Sequence, residues 1–207
     1  LPMGEQGSAS VPLSRTALLK TEAETDYTLT ISLEGLIPST RYRYHVVVGS
    51  AASSTQQLSG KSAATGEFVT LPDEQISRTV MFAWSGDLGS GGRCRQGLDG
   101  YPIFDVIHRY NPNFFLFLGD TIYGDHVCPS PPNEPGADFK ATTLETYRLR
   151  HRYQRGADAL RRFLSGTPVY VVWDDHEVAN DYASDQSGDL SPEFLSRRAA
   201  AYQAYYE

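Results

Sequence analysis

The acids of this chain gather where apolar runs end. "FAWSGDLG" presents Asp87, "FLFLGDTIYGD" presents Asp120, Tyr123 and Asp125, and "VVWDDHEVAND" presents Asp174, Asp175, His176, Glu177, Asn180 and Asp181. In the last segment three acids and an imidazole fill the four positions from Asp174 to Glu177, with no lysine or arginine in the segment to offset them. Carboxylates held close together do not all stay ionised without a counter-ion. Oxygen ligands with an imidazole suit hard or borderline cations such as Ca, Mn, Fe or Zn. Two such ions sharing an aspartate can activate a water and hold both the attacking and the leaving oxygen of a phosphoryl transfer.

That chemistry requires the three segments to meet. Each follows a run that reads as a buried strand: "RTVMFAW", "NFFLFLGD" and "TPVYVVWDD". The unbroken apolar character of the first predicts a strand covered on both faces. Between them lie helical patterns. "GYPIFDVIHRY" has Pro102 near its start and apolar residues at helical spacing, and "TTLETYRLRHRYQRGADALRRFLSG" reads as one or two helices ended by Gly166. "SPEFLSRRAAAYQAYYE" opens with Ser191 as N-cap and Pro192 at the first helical position. The order β-α-β-α-β predicts right-handed crossovers and largely parallel strands, whose carboxyl ends share one edge. Residues 77–207 are therefore assigned to an α/β domain with the acids converging on that edge. The basic stretch "YRLRHRYQR", with Arg148, Arg150, His151, Arg152 and Arg155, reads as a solvated or ion-paired helix face. Asp125 and His126 are placed in a loop lining the pocket, under an irregular Pro- and Gly-rich stretch, "HVCPSPPNEPGADFK".

Residues 1–72 have a different character. "DYTLTISLEGL" and "TRYRYHVVVGS" alternate apolar and polar residues with the period of half-buried strands, and "GEFVTLP" reads as a third. The small, polar "GSAASSTQQLSGKSAATG" between the last two reads as a flexible loop. The joint "LEGLIPSTRYRYHV" is similar to the strand-to-strand corner of fibronectin type III sandwiches, where a tyrosine hydroxyl bonds back to the chain. With three strands where such a sandwich has about seven, residues 1–72 are expected to be a partial β-sandwich domain.

The bulk properties exclude several classes. The 207 residues are 40% apolar with a formal net charge of −7. The acidic balance speaks against a general nucleic-acid-binding surface. No apolar run approaches the roughly 18 residues of a membrane span. The two cysteines, Cys94 and Cys128, are too few for a disulfide scaffold and are compatible with one bridge or two free thiols. Export, to the periplasm or beyond, would favour the bridge. No signal peptide is visible, and the chain reads as a fragment or a processed form.

The motifs "GDLG", "GDTIY" and "DDHE", in this order, resemble the first three motifs of the calcineurin-like metallophosphoesterase superfamily. The tyrosine three residues after Asp120, the string "WDDHEVAND" and the preceding sandwich-like segment resemble the PhoD-like alkaline phosphatases in particular. The resemblance covers the chain from about residue 26 onward. It implies the amino-terminal part of a metallophosphoesterase half-sandwich and hydrolysis of phosphate mono- or diesters, small molecules, by a metal-activated hydroxide at a two-metal site. It implies Fe(III) with a divalent ion, Ca or else Mn or Zn. Asp87 would bind the iron, where many PhoD-like sequences carry a cysteine near the strand end. Asp120 would bridge the metals, and Tyr123 would bind iron as a phenolate. Asp175 and Asn180 share the place of the superfamily's ligand asparagine. His176 would hydrogen-bond phosphate and assist the leaving group, while Asp174, Glu177 and Asp181 would support or cap. The superfamily's later histidine motifs have no counterpart, since no histidine follows His176, so the site of this segment is expected to be incomplete. The alternatives are a purple acid phosphatase-like enzyme, which "WDDHEVAND" disfavours, and a binding module built on the sandwich.

Overall fold

The computed structural model describes residues 19–49, 61–89, 94–188 and 193–207. The chain divides into two compact units, Leu1–Ile31 and Ser32–Glu207. In the first, the described residues hold a single 3-10 turn at Ala23–Thr25. The strand expected over Tyr27–Leu33 does not form. Leu29, Ile31 and Leu33 are about half exposed, and no described segment pairs with them. Alternation alone makes no strand without a ladder partner and a layer to cover its apolar face.

In the second unit, β1 (Arg41–Val48) and β2 (Lys61–Val69) pair antiparallel, with an irregularity at Val46/Val47. The stretch Lys61–Gly66, expected to be loop, is thus half of a ladder, because small residues fit a pleat once a partner supplies the hydrogen bonds. Residues 50–60 of that loop lie outside the described residues. At the corner the Tyr42 hydroxyl accepts the N–H of Ile37 at 2.8 Å, so the tyrosine does bond back to the chain. The hairpin rests on the end of α3 (Asp158–Gly166): the Tyr44 hydroxyl donates to the carbonyl of Ser165 at 3.0 Å. Gly66 permits this approach, since a Cβ there would stand 2.0 Å from that carbonyl oxygen.

The α/β part follows the expected order. Strands β3 (Phe82–Ser85), β4 (Phe114–Leu118) and β5 (Val169–Val172) form one parallel sheet in the order β3-β4-β5. Helix α1 (Ile103–Arg109) connects the first two, and α2 (Leu144–Arg155) and α3 connect the last two. Two helices therefore occupy the basic stretch, separated by the break at Gly156 and Ala157. The side chains of Phe104, Phe115, Phe117, Leu160 and Phe163 pack into the core between sheet and helices. Full burial of such a side chain contributes about 1.5–3 kcal/mol.

Among the described residues the sheet has helices packed on one face. Phe82, Trp84, Tyr170 and Val172 are half or more exposed, against the expectation of two covered faces. Both crossovers start from neighbouring strands in sequential order and place α1 and α3 on the same side. Among the described residues nothing lies against the other side.

Helix α4 (Phe194–Tyr206) packs on α2. Glu193 stands at its N-cap, and the expected cap at Ser191 and Pro192 lies outside the described residues. The basic face of α2 is mixed. Arg148 pairs with Glu207 at 2.6 Å and Arg152 with Glu145 at 2.8 Å, as expected of an ion-paired face. His151 and Arg150 are turned inward instead.

Burial, with Arg155 adding to it, pushes the His151 imidazole down to about 3, and its Nε2 has no hydrogen-bond partner. The unfolded chain then binds a proton near pH 6.5 that the folded chain refuses, so stability is full above that pH and falls as pH drops towards 3. His151→Phe should flatten this acid limb and leave stability at pH 8 nearly unchanged, as read from urea midpoints across pH. An unaltered acid limb would show that the buried imidazole does not drive it.

Candidate active site

The carboxyl ends of β3, β4 and β5 present the three acid-bearing segments side by side. The turns after β3 and β4 use left-handed backbone at Asp87 (φ 57°) and Asp120 (φ 52°), a conformation that aspartate tolerates better than most residues. Gly119 (φ 90°) precedes Asp120, and a Cβ there would lie 2.5 Å from the backbone of Asp174, so only glycine lets the β4 and β5 turns meet. The turns are also stitched together: Leu88 N–H donates to Asp120 O at 2.9 Å, and Gly124 N–H to His176 O at 2.9 Å.

Glu177 is the joint between two of them. It is 1% exposed and accepts four hydrogen bonds. Oε2 takes the N–H groups of Asp120 (3.0 Å) and Asp174 (2.9 Å), and Oε1 takes the N–H (2.5 Å) and hydroxyl (2.7 Å) of Thr121. A carboxylate whose oxygens are occupied by three backbone N–H groups and a hydroxyl is not offered to a ligand.

The expected site residues fall into two adjoining groups. Tyr123 donates to Asp87 Oδ1 at 2.9 Å, and its hydroxyl also interacts with Asp120. Ligand atoms of Asp120, Asp175 and His176 lie within 4.8 Å of one another. Asp120 is the member common to both. The Asn180 side chain turns to Asp181 Oδ2 at 2.6 Å, while Asp181 N–H donates to Asp175 Oδ2.

Asp125, placed by its sequence only in a pocket-lining loop, has a definite part. Its Oδ1 meets His176 Nδ1 at 2.8 Å and its Oδ2 accepts Asn180 N–H at 2.9 Å. Burial opposes charge on both partners, but the shared hydrogen bond prevails, holding the carboxyl below and the imidazole above their ordinary ranges. The hydrogen bond thus favours the carboxylate–imidazolium form of the pair and leaves His176 Nε2 for another group. His126 stacks on Tyr123 with centroids 5.4 Å apart and lies 4.8 Å from the His176 ring.

The electrostatics fit a cation. Burial pushes Asp120 up to about 6, although Tyr123 and His176 partly oppose it. Burial and the facing Asp87 and Asp120 push the Tyr123 phenol well above its usual range. Without a positive ion these donors resist ionisation, and with one they form an oxygen-rich set with an imidazole at its side.

Cys94 and Cys128 form a disulfide, with Cα atoms 5.9 Å apart. Closing this loop is worth about 4 kcal/mol in the chain-entropy view. It ties the segment after Asp87 to the loop that follows Tyr123. Spacing in sequence carries no signal for such a pairing.

A parallel α/β sheet with converging acids at its carboxyl edge defines the class: an α/β protein with candidate metal-ligand groups at the ends of its strands. The family model for PhoD-like phosphatase matches residues 83–207, and the chain belongs to the PhoD-like phosphatase family. It is 30% identical over 185 residues to alkaline phosphatase D of Bacillus subtilis (strain 168), covering 86% of this chain and 29% of that protein. A solved structure described as the structure of PhoD superposes with a TM-score of 0.70 at 28% identity, covering 90% of this chain and 34% of that one. The chain thus spans about a third of the length of these relatives.

Proposed function

We propose that this chain is part of a metal-dependent phosphoric ester hydrolase acting on small phosphate mono- or diesters. The observation that carries this reading is the meeting of Asp87, Tyr123, Asp120, Asp175 and His176 at one sheet edge, in a member of a phosphatase family. Asp87 and Tyr123 would hold an Fe(III) ion, Asp175 and Asn180 a divalent ion (Ca, or Mn or Zn), and Asp120 would serve both. Bound there, the metal pair supplies Lewis acidity towards the phosphoryl group and an activated water. The chain's own residues do the rest. The imidazolium of His176, oriented by Asp125, donates a hydrogen bond to the phosphoryl group and a proton to the leaving oxygen.

We also propose that residues 1–72 belong to a partial fibronectin type III-like domain and 77–207 to the catalytic domain; the Tyr42 corner supports the first assignment. Export is supported by the disulfide, which persists in oxidising compartments. No helix among the described residues is long and apolar enough to cross a membrane.

The test is metal analysis of the full-length protein together with hydrolysis of p-nitrophenyl phosphate and of its diester. Bound metal with turnover supports the reading. A metal-free protein without turnover would return the chain to a binding role, and a rate peaking in acid would favour a purple acid phosphatase-like chemistry. His176→Asn should lower kcat by about 10²- to 10⁴-fold, more for alkyl than for nitrophenyl esters, because a poor leaving group depends more on the donated proton. Equal losses for both esters would remove the acid role.

A further inference from the structure

The inward face of α2 contains polar residues that the chemistry above does not use. Arg150 is 2% exposed, and among the described residues no carboxylate pairs with it. Its guanidinium donates instead to backbone carbonyls: Nη1 to Ala137 at 2.7 Å, and Nη2 to His126 at 3.1 Å and to Tyr123. Nη1 also lies 3.4 Å from Cys128 Sγ. Desolvating an unpaired cation costs several kcal/mol, so stability alone would be served as well by an apolar side chain and a differently routed loop. What a guanidinium adds is a rigid planar fork that sets several acceptors at once.

The acceptors matter because of what lies between them. The carbonyls of Tyr123 and His126 bracket Asp125, whose carboxylate orients His176. Tyr123 sends its side chain the other way, to Asp87. One turn to either side, the same helix face repeats the device. Tyr147 donates to Val178 O at 2.6 Å, and Gln154 to Leu88 O at 3.0 Å and Thr121 O at 3.4 Å. Residues 147, 150 and 154 share a helix face, and between them they reach the segments after β3, β4 and β5.

We propose that Arg150 is a positioning residue: by fixing the carbonyls on both sides of Asp125 it sets the orientation of His176 and Tyr123 without touching substrate. The catalytic part of this statement rests on the function proposed above. The test uses the full-length protein with Arg150→Lys, whose ammonium keeps the charge but lacks the fork, and Arg150→Ala, whose vacated space guanidinium ion can enter.

Arg150→Lys should fold cooperatively and lose about 10²-fold in kcat, the scale of a misplaced catalytic group, with KM little changed. Amide exchange in the metal-free protein should quicken at residues 123–128 and 176–180 and not in β3–β5. Added guanidinium should restore part of the kcat of Arg150→Ala and leave the wild-type rate unchanged. Native kcat in the lysine variant, or exchange quickened evenly across residues 77–207, would overturn the proposal, as would a folded alanine variant that guanidinium does not rescue. If the alanine variant does not fold, the lysine variant decides. If the wild-type protein hydrolyses no phosphate ester, the proposed function fails, and the exchange pattern alone decides whether Arg150 positions this loop.

Discussion

Asp120→Asn in the full-length protein should abolish hydrolysis, by about 10³-fold or more, and empty the metal site. Asp120 is the residue common to both ligand groups, adjoining Tyr123 and Asp87 on one side and Asp175 and His176 on the other. Losing its charge would remove the proposed bridging anion, and with it the several kcal/mol of transition-state stabilisation that a metal pair would provide. Asparagine is the informative replacement. It tolerates the left-handed backbone of this position (φ 52°), and its side-chain oxygen can still accept from His176 N–H, now at 3.3 Å. Alanine would add backbone strain and blur the reading. Metal content and rate are measured on the same sample, and full occupancy with a native rate would sink the assignment of Asp120 as the bridge.

Glu177→Gln should be the most destabilising single-atom change in the site, costing about 2–4 kcal/mol. The carboxylate receives three backbone N–H groups and one hydroxyl, and is itself 1% exposed. A carboxamide has one acceptor oxygen. If its NH₂ faces Thr121, the hydroxyl can rotate to accept, but the Thr121 N–H is left unpaired. If the NH₂ faces the other way, the N–H groups of Asp120 and Asp174 are both stranded. Either way charge-assisted bonds become neutral ones. Glu177→Ala strands all four donors and should cost more. A urea midpoint that falls with an unchanged m value is the expected signature; a midpoint within experimental scatter of wild type would show that the joint is dispensable. Because Asp120 hangs on this joint, the rate should fall with the fold.

The residues proposed to carry the chemistry, and the strands that they follow, are legible in the amino-acid sequence. Apolar runs ending in acids announce parallel strands and their carboxyl edge, since strand period and turn composition are local properties. That is how Asp87, Asp120, Tyr123, Asp175 and His176 could be named before any contact was known. How they are held is a matter of long-range packing. The same helical stretch contains Arg148, which meets the Glu207 carboxylate, and Arg150, which is buried among carbonyls. Residue type and spacing look alike for the two, and only the segments packed against each tell them apart. Tyr27–Leu33 alternates as cleanly as β1 but forms no strand, and no segment among the described residues pairs with it. Asp125, Glu177 and the Cys94–Cys128 bridge follow the same rule. What each does is set by a group dozens of residues away, and such pairings arise from chain topology, which no short pattern encodes.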